Sequence, residues 1–444
     1  MTARAEAAGP TWAEIIAVGS ELLVPPRLDT NSVFITERLN AIGIEVRAKV
    51  IVGDRRDDLE RALRHAIARS DLVIRTGGLG PTDDDLTRDS VAAVLGRPLR
   101  EDAAVVERIR QRFAMRGARM PEVNRRQALV PDGAEIVENR HGTAPGLWIE
   151  HGDRLVLLLP GPPGELKPMV DRVIDERLAP RVGAERVYRR VVKICGRTES
   201  EVEEATFPVY GAWVAESTPI ATTVLTAPAQ VELHLSVRSG DACAAEARLD
   251  GGVAQLRGVL GADIFSEDGR AMEEVVGGLL RACGARLGVA ESCTGGLVSS
   301  KLTDVPGSSD YVVLNVVCYS NESKTRVLGV PGEVLQAHGA VSEPVALAMA
   351  HGIRAQAAAD IGVGVTGIAG PSGGSDEKPV GTVAIAVVSG TSGVVRTFRF
   401  PFTRVRVKQF AAQMALDMVR RVLVGADPGR AFVFARDAAK DSSA

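Results

Sequence analysis

The chain has 444 residues, with 53 Lys and Arg against 56 Asp and Glu and a formal net charge of -3. That length exceeds what one hydrophobic core usually organises and predicts about three domains at roughly 150 residues each. The near balance of charge supplies no overall basic field, so no nucleic-acid partner and no membrane contact are expected.

The first eleven residues are Ala-rich with a single Arg and no continuous apolar stretch, which argues against a secretory signal and predicts a cytoplasmic protein. The apolar run 155–159 is closed by Arg154 and Pro160, far short of the roughly 18 residues a membrane helix needs. Five cysteines, Cys195, Cys243, Cys283, Cys293 and Cys318, lack the paired spacing of a zinc cage or a disulfide framework.

From 12 to 180, short apolar runs alternate with amphipathic segments. The stretches 15–18, 34–42, 46–52, 59–67 and 72–74 read as strand, helix, strand, helix, strand. Such alternation predicts a mostly parallel sheet covered by helices, with ligands beyond the carboxyl ends of the strands. The loop that follows, 76–89, joins Gly77, Gly78 and Gly80 to three successive carboxylates, Asp83, Asp84 and Asp85. Glycines let a phosphate approach the backbone, and hard oxygen ligands suit Mg²⁺ or a similar ion bridging a pyrophosphate. Equally, Asp85 can cap the next helix, and Asp83 and Asp84 can form a solvated turn.

Between 181 and 268 the pattern becomes strands 187–194 and 231–237 with a helical stretch 244–260, a small α+β connector without a catalytic constellation. A second alternation then runs from Met272: helix to Cys283, strand 286–290, helix from Thr294, strand 311–318, helix 341–355 and strand 361–365. Strands 381–388 and 394–400 and a closing helix 405–424 follow, and a polar, Ala-rich tail from Ala426 is expected to fray. The fold class is α/β: two three-layer domains with mostly parallel sheets, 12–180 and 269–426, joined by the connector 181–268.

In 287–296 a hydroxyl, Ser292, and two glycines stand where an apolar strand turns into a helix. Unpaired backbone N–H groups of a first helical turn stabilise an oxyanion or a phosphate, although Ser and Thr also serve there as ordinary N-caps. Residues 317–324 repeat the strand-to-helix junction, with Tyr319 leaving the strand and Lys324 in the first helical turn. A lysine held from water beside a positive helix terminus loses basicity and becomes able to act as a base, which a serine needs in order to attack. The Gly-rich loop 364–374 is a further phosphate cradle, matching neither the P-loop nor the dinucleotide fingerprint. Arg404 and Arg406, opening the last helix, are placed to clamp a phosphate or carboxylate. A rival pair is Cys293 as nucleophile with His338 as base.

The segments AESCTGG (290–296), YSNESK (319–324), HGAVSE (338–343), VTGIAGPSGG (365–374) and KPVGTV (378–383) resemble the C-terminal domain of the CinA family. The resemblance implies a nicotinamide mononucleotide deamidase that forms nicotinic acid mononucleotide and ammonia without a cofactor. In it Ser292, Tyr319 and Lys324 are catalytic, with Lys324 as base, either directly or through Tyr319, and an acyl-enzyme intermediate. Thr294, Gly295, Gly296, Thr366, Gly367 and Arg406 lie at the substrate, with Arg406 and the helix-start amides on the phosphate. Cys318 stands where a small polar residue is usual.

GSELL (19–23), DTNS (29–32) and LPGPPGEL (159–166), with the 76–89 loop, resemble the molybdopterin-binding fold at the N-terminus of the same family. This implies an ADP-ribose pyrophosphatase site of Asp29, Asn31, Gly77, Gly78, Gly80, Asp83, Asp84 and Asp85, the last three holding a divalent metal, Mg²⁺, Mn²⁺ or Co²⁺. The segment Val24-Pro25-Pro26-Arg27-Leu28 departs from the family's Gly-containing stretch and stiffens the loop. A homodimer is expected. The competing expectation is a pterin- or nucleotide-binding protein without turnover that serves as an interaction partner in competence or DNA repair.

Overall fold

The computed structural model describes residues 9–428. The first eight residues of the Ala-rich start, and the tail beyond 428, lie outside the described residues. The chain divides into two compact units, one reaching Tyr188 and including Arg238–Ala245, the other formed by Arg189–Val237 and the chain from Glu246 onward. Among the described residues no helix is long and apolar enough to cross a membrane.

The first unit contains strands β1 (Trp12–Val18), β2 (Glu45–Val52), β3 (Leu72–Thr76), β4 (Leu99–Glu101), β5 (Leu129–Pro131), β6 (Glu135–Val137), β7 (Gly146–His151) and β8 (Arg154–Leu159). Six form one sheet in the order β2-β1-β3-β8-β7-β6, while β4 and β5 pair separately. β2, β1, β3 and β8 run parallel, and β7 and β6 close the sheet antiparallel. β3 and the end of β8 are buried on both faces, which is why they read as continuous apolar runs instead of alternating ones. Ile15, Ile35, Leu39 and Met169 pack one face, and Ile16, Leu59, Val73 and Val156 pack the other. The β7–β8 hairpin turns at Gly152, whose φ of 63° suits a two-residue connection. The strand-and-helix alternation of 12–180 therefore stops short of this edge.

The connector folds as a four-stranded sheet, β10-β11-β9-β12, of β9 (Arg186–Ile194), β10 (Ala221–Ala227), β11 (Gln230–Ser239) and β12 (Ile264–Ser266). Besides the helix Ala242–Leu260 it holds a second one, Glu199–Tyr210, absent from the sequence-based expectation. Its signal was present as a capping box, Thr198 with Glu201.

The last sheet has the order β14-β13-β15-β16-β17, from β13 (Leu287–Glu291), β14 (Val312–Val317), β15 (Ile361–Gly367), β16 (Thr382–Ser389) and β17 (Ser392–Arg399). The first three are parallel, the last two antiparallel. Helices Met272–Cys283 and Arg404–Leu423 pack one face through Val276, Leu280, Met414 and Leu416. Helix Glu343–Ala357 lies close on the other, because a Cβ at Gly364 would stand 2.2 Å from the Ala346 carbonyl oxygen.

Within the second unit, the closing helix is tied to the connector by buried charge. Asp417 accepts from Arg420 Nε at 2.8 Å and Arg421 Nε at 2.7 Å, and Arg421 reaches Asp263 at 2.9 Å, which Arg197 also holds at 2.6 Å. Removing one partner of such a set strands the others' charge in the core. Asp417→Ala is expected to destabilise the unit by about 3–5 kcal/mol, read by denaturant unfolding. An unchanged midpoint would refute this.

Candidate active site

β13 and β14 are adjacent parallel strands in register Glu291 to Val317, so the residues leaving their carboxyl ends meet. The Cys318 N–H still donates to the Glu291 carbonyl at 2.8 Å. Ser320 caps helix Asn321–Leu328 by accepting from the Ser323 N–H. Lys324 is thereby aimed back under the strand ends, and its Nζ lies 3.1 Å from Ser292 Oγ. It also donates to the carbonyls of Cys318 at 3.0 Å and Tyr319 at 3.4 Å.

Lys324 is 1% exposed and Ser292 7%. Burial disfavours the ammonium and lowers the Lys324 pKa, with no carboxylate among its hydrogen-bond partners. Nζ donates to Ser292 Oγ in this contact; once deprotonated, the amine would accept the hydroxyl hydrogen across the same 3.1 Å. Cys293, by contrast, is 4% exposed, and burial pushes its thiol up to about 12. His338 ends the helix Gly332–His338 in solvent, its carbonyl accepting from Lys378 Nζ at 2.7 Å. A thiol so far from its thiolate form is a poor nucleophile, and the Cys293–His338 alternative loses its chemistry.

The turn 292–296 is not the start of a helix. Gly295 and Gly296 take φ of 61° and 93°, and the helix opens only at Leu297. Its first amides are occupied, since the fully buried Glu291 carboxylate accepts from the N–H groups of Gly296 at 3.0 Å, Val298 at 3.1 Å and Ser299 at 2.8 Å. Gly295 N–H goes to the Ser292 carbonyl at 3.1 Å. The expectation that helix-start amides hold a phosphate is therefore corrected: a carboxylate already fills them. Thr294, two residues after Ser292, is different, because its hydroxyl is buried without a hydrogen-bond partner among the described residues.

Tyr319 is 61% exposed and its hydroxyl accepts from Arg404 at 2.8 Å, while Arg404 also donates to the Gly370 carbonyl at 2.8 Å. It does not link Ser292 to Lys324, so a relay through this phenol is replaced by direct contact. Thr366 donates to the Ala340 carbonyl at 2.8 Å, tying the 338–343 loop to β15, and Gly367 ends that strand where a Cβ would lie 2.8 Å from the Thr382 carbonyl oxygen. Arg406 lies over the Phe402 ring at 4.5 Å and lines, with Arg404, Phe402 and Pro371, a cleft of about 630 Å³.

In the first unit a cleft of about 680 Å³ opens beyond β1, β3 and β8, lined by Asp29, Asn31, Gly77, Gly78, Gly80, Asp84 and Asp85. Arg27 and Leu28, from the Pro-containing segment, form part of its wall without filling it. Asp29 caps helix Thr30–Ala41 through Ser32, and Asn31 donates to the Gly161 carbonyl at 2.7 Å. The three carboxylates do not converge. Asp83 is exposed and pairs with Arg126 at 2.5 Å, and Asp85 holds the N–H groups of Gly80 at 2.8 Å and Thr82 at 2.9 Å. Among the described residues no group of three His, Cys, Asp or Glu is arranged to hold a metal. The Asp83, Asp84, Asp85 metal set does not fit. Nor does Asp85 cap helix Thr87–Leu95, whose N-cap is Leu86 without a side-chain bond.

Residues 269–423 match the model of the CinA C-terminal domain, and 14–180 that of a probable molybdopterin binding domain. A CinA-like protein of Solibacter usitatus is 44% identical over 93% of this chain and 98% of its own length. The chain belongs to the CinA family. A putative competence-damage inducible protein of Symbiobacterium thermophilum, also 44% identical, shares 93% of this chain and 99% of its own. Among solved structures, the competence/damage inducible protein CihA of Agrobacterium tumefaciens is 38% identical, covering 34% of this chain and 93% of its own with a TM-score of 0.34.

Two residues of this CinA-family site were given no role by the sequence, Glu291 although it lies within AESCTGG, and Lys408. Glu291 is a carboxylate ending an otherwise apolar strand, and that misfit was its signal. Lys408 comes one helical turn after Arg404, on the same face of the last helix, and its Nζ would stand 3.3 Å from a Cβ on Gly295.

Proposed function

We propose that the C-terminal unit hydrolyses the carboxamide of nicotinamide mononucleotide, giving nicotinic acid mononucleotide and ammonia. The observation that carries this reading is the buried Lys324 amine 3.1 Å from Ser292 Oγ, within the reach required of a general base. CinA-family membership supports it.

Lys324 takes the Ser292 proton as Oγ forms a bond to the amide carbon. The charge developing on the carbonyl oxygen needs a donor, and the Thr294 hydroxyl, two residues after Ser292, is buried without a partner among the described residues and available for it. Collapse breaks the C–N bond, and the Lys324 ammonium returns its proton to the departing nitrogen, which leaves as ammonia. Water, deprotonated by the same amine, then attacks the Ser292 ester; the C–Oγ bond breaks, the Lys324 ammonium returns the proton to Oγ, and the acid leaves as its carboxylate.

The test is ammonia release from nicotinamide mononucleotide by the purified full chain. Stoichiometric ammonia and nicotinic acid mononucleotide are the expected products. No release above the uncatalysed rate would overturn the reading.

A further inference from the structure

A nucleotide substrate brings a phosphate, and three of the expected holders, the 296–299 amides, Lys324 and Arg404, are already engaged. Glu291 fills the amides at the start of helix Leu297–Thr303, and its negative charge repels an anion there. Lys324 is turned inward to Ser292 and two carbonyls. Arg404 spans Tyr319 and the Gly370 carbonyl; Arg406 stacks over Phe402 and Phe410 and lines the cleft with Pro371 and Phe402, its N–H groups without a hydrogen bond among the described residues.

Lys408 is the cation that stands against the turn starting at Ser292. It is half-buried on the last helix, and it forms no hydrogen bond or ion pair with the described residues. Its Nζ stands 3.3 Å from where a Cβ on Gly295 would be. Gly295 is exposed and closes a turn onto Ser292 through its N–H at 3.1 Å. Turns of this kind hold their end Cα atoms within about 7 Å, so the ammonium and the nucleophile flank the same short turn. The bare Gly295 lets the ammonium lie close against the turn.

We propose that Lys408 anchors the phosphate of the substrate and sets the preference for a phosphorylated over an unphosphorylated riboside. This rests on the deamidase reading above. A charged hydrogen bond of this kind is worth about tenfold or more in affinity, and it forms only when the substrate carries the phosphate. Its loss therefore falls on KM for the nucleotide and not on the chemical step.

The experiment compares nicotinamide mononucleotide with nicotinamide riboside in wild type, Lys408→Gln and Lys408→Arg, and measures ribose 5-phosphate binding by calorimetry. The expected result is that Lys408→Gln lowers the kcat/KM ratio of nucleotide to riboside about tenfold or more, through KM, and that Lys408→Arg restores most of it. Ribose 5-phosphate binding is expected to weaken by a similar factor in Lys408→Gln. An unchanged ratio with unchanged binding overturns the assignment, as does an equal loss on both substrates. Wild-type protein that releases no ammonia, yet binds ribose 5-phosphate through Lys408, would sink the deamidase reading and leave the anchor standing.

Discussion

Ser292→Ala is expected to lower the rate of ammonia release from nicotinamide mononucleotide by about 10⁴-fold or more, the scale seen when a nucleophile acting as part of a unit is removed. Cys293→Ser, at the next position, is expected to keep most of the rate. The asymmetry follows from the turn. Ser292 Oγ faces an amine 3.1 Å away that can accept its proton, whereas the Cys293 thiol is buried in the core beneath the sheet with Val289, Val298 and Val407. Burial pushes that thiol up to about 12, so at neutral pH almost none of it is thiolate. The measurement is steady-state ammonia release by both variants, with unfolding curves to establish that each is folded. Activity that survives in Ser292→Ala and vanishes in Cys293→Ser would reverse the assignment.

The meeting of residues 292 and 324 was legible in the sequence because it depends on backbone order alone. Two strand-to-helix junctions on neighbouring parallel strands must bring their loops to the same edge, and 287–296 and 317–324 each carry that junction in their apolar pattern. The positive φ of Gly295 and Gly296 was likewise signalled by residue type. What escaped were contacts set by side-chain reach across the fold. Tyr319 turns to Arg404, 85 positions on, and Asp83 to Arg126, 43 positions on, and no local pattern encodes either pairing. Asp83, Asp84 and Asp85 looked like a metal site because adjacent carboxylates are close in sequence. In the folded loop Asp85 is used to hold the backbone of Gly80 and Thr82, and Asp83 leaves for an arginine. Glu291 shows the converse: one carboxylate at a strand end, present in the AESCTGG segment but given no role there, takes three amides that otherwise invite a phosphate.

The pH profile of kcat/KM tests the other half of the pair. Lys324 serves as base only when neutral, so activity is expected to fall as pH drops through its pKa and to reach a plateau above it. Because burial lowers that pKa from the ordinary 10.5, the limb should appear below this value. Lys324→Arg places a guanidinium that does not deprotonate in the same pocket. It is expected to lose about 10²–10⁴-fold in rate, the usual worth of a positioned base, and to lose the limb with it. Stability carries the same sign. Between the lowered folded pKa and the unfolded one, the unfolded chain binds a proton that the folded chain does not, so Lys324 makes stability rise with pH across that window. Below the window the full cost of burying the ammonium remains. A profile without this limb in wild type, or a Lys324→Arg variant with wild-type rate, would remove Lys324 from the role of base, since Ser292 has no other amine within hydrogen-bond distance among the described residues.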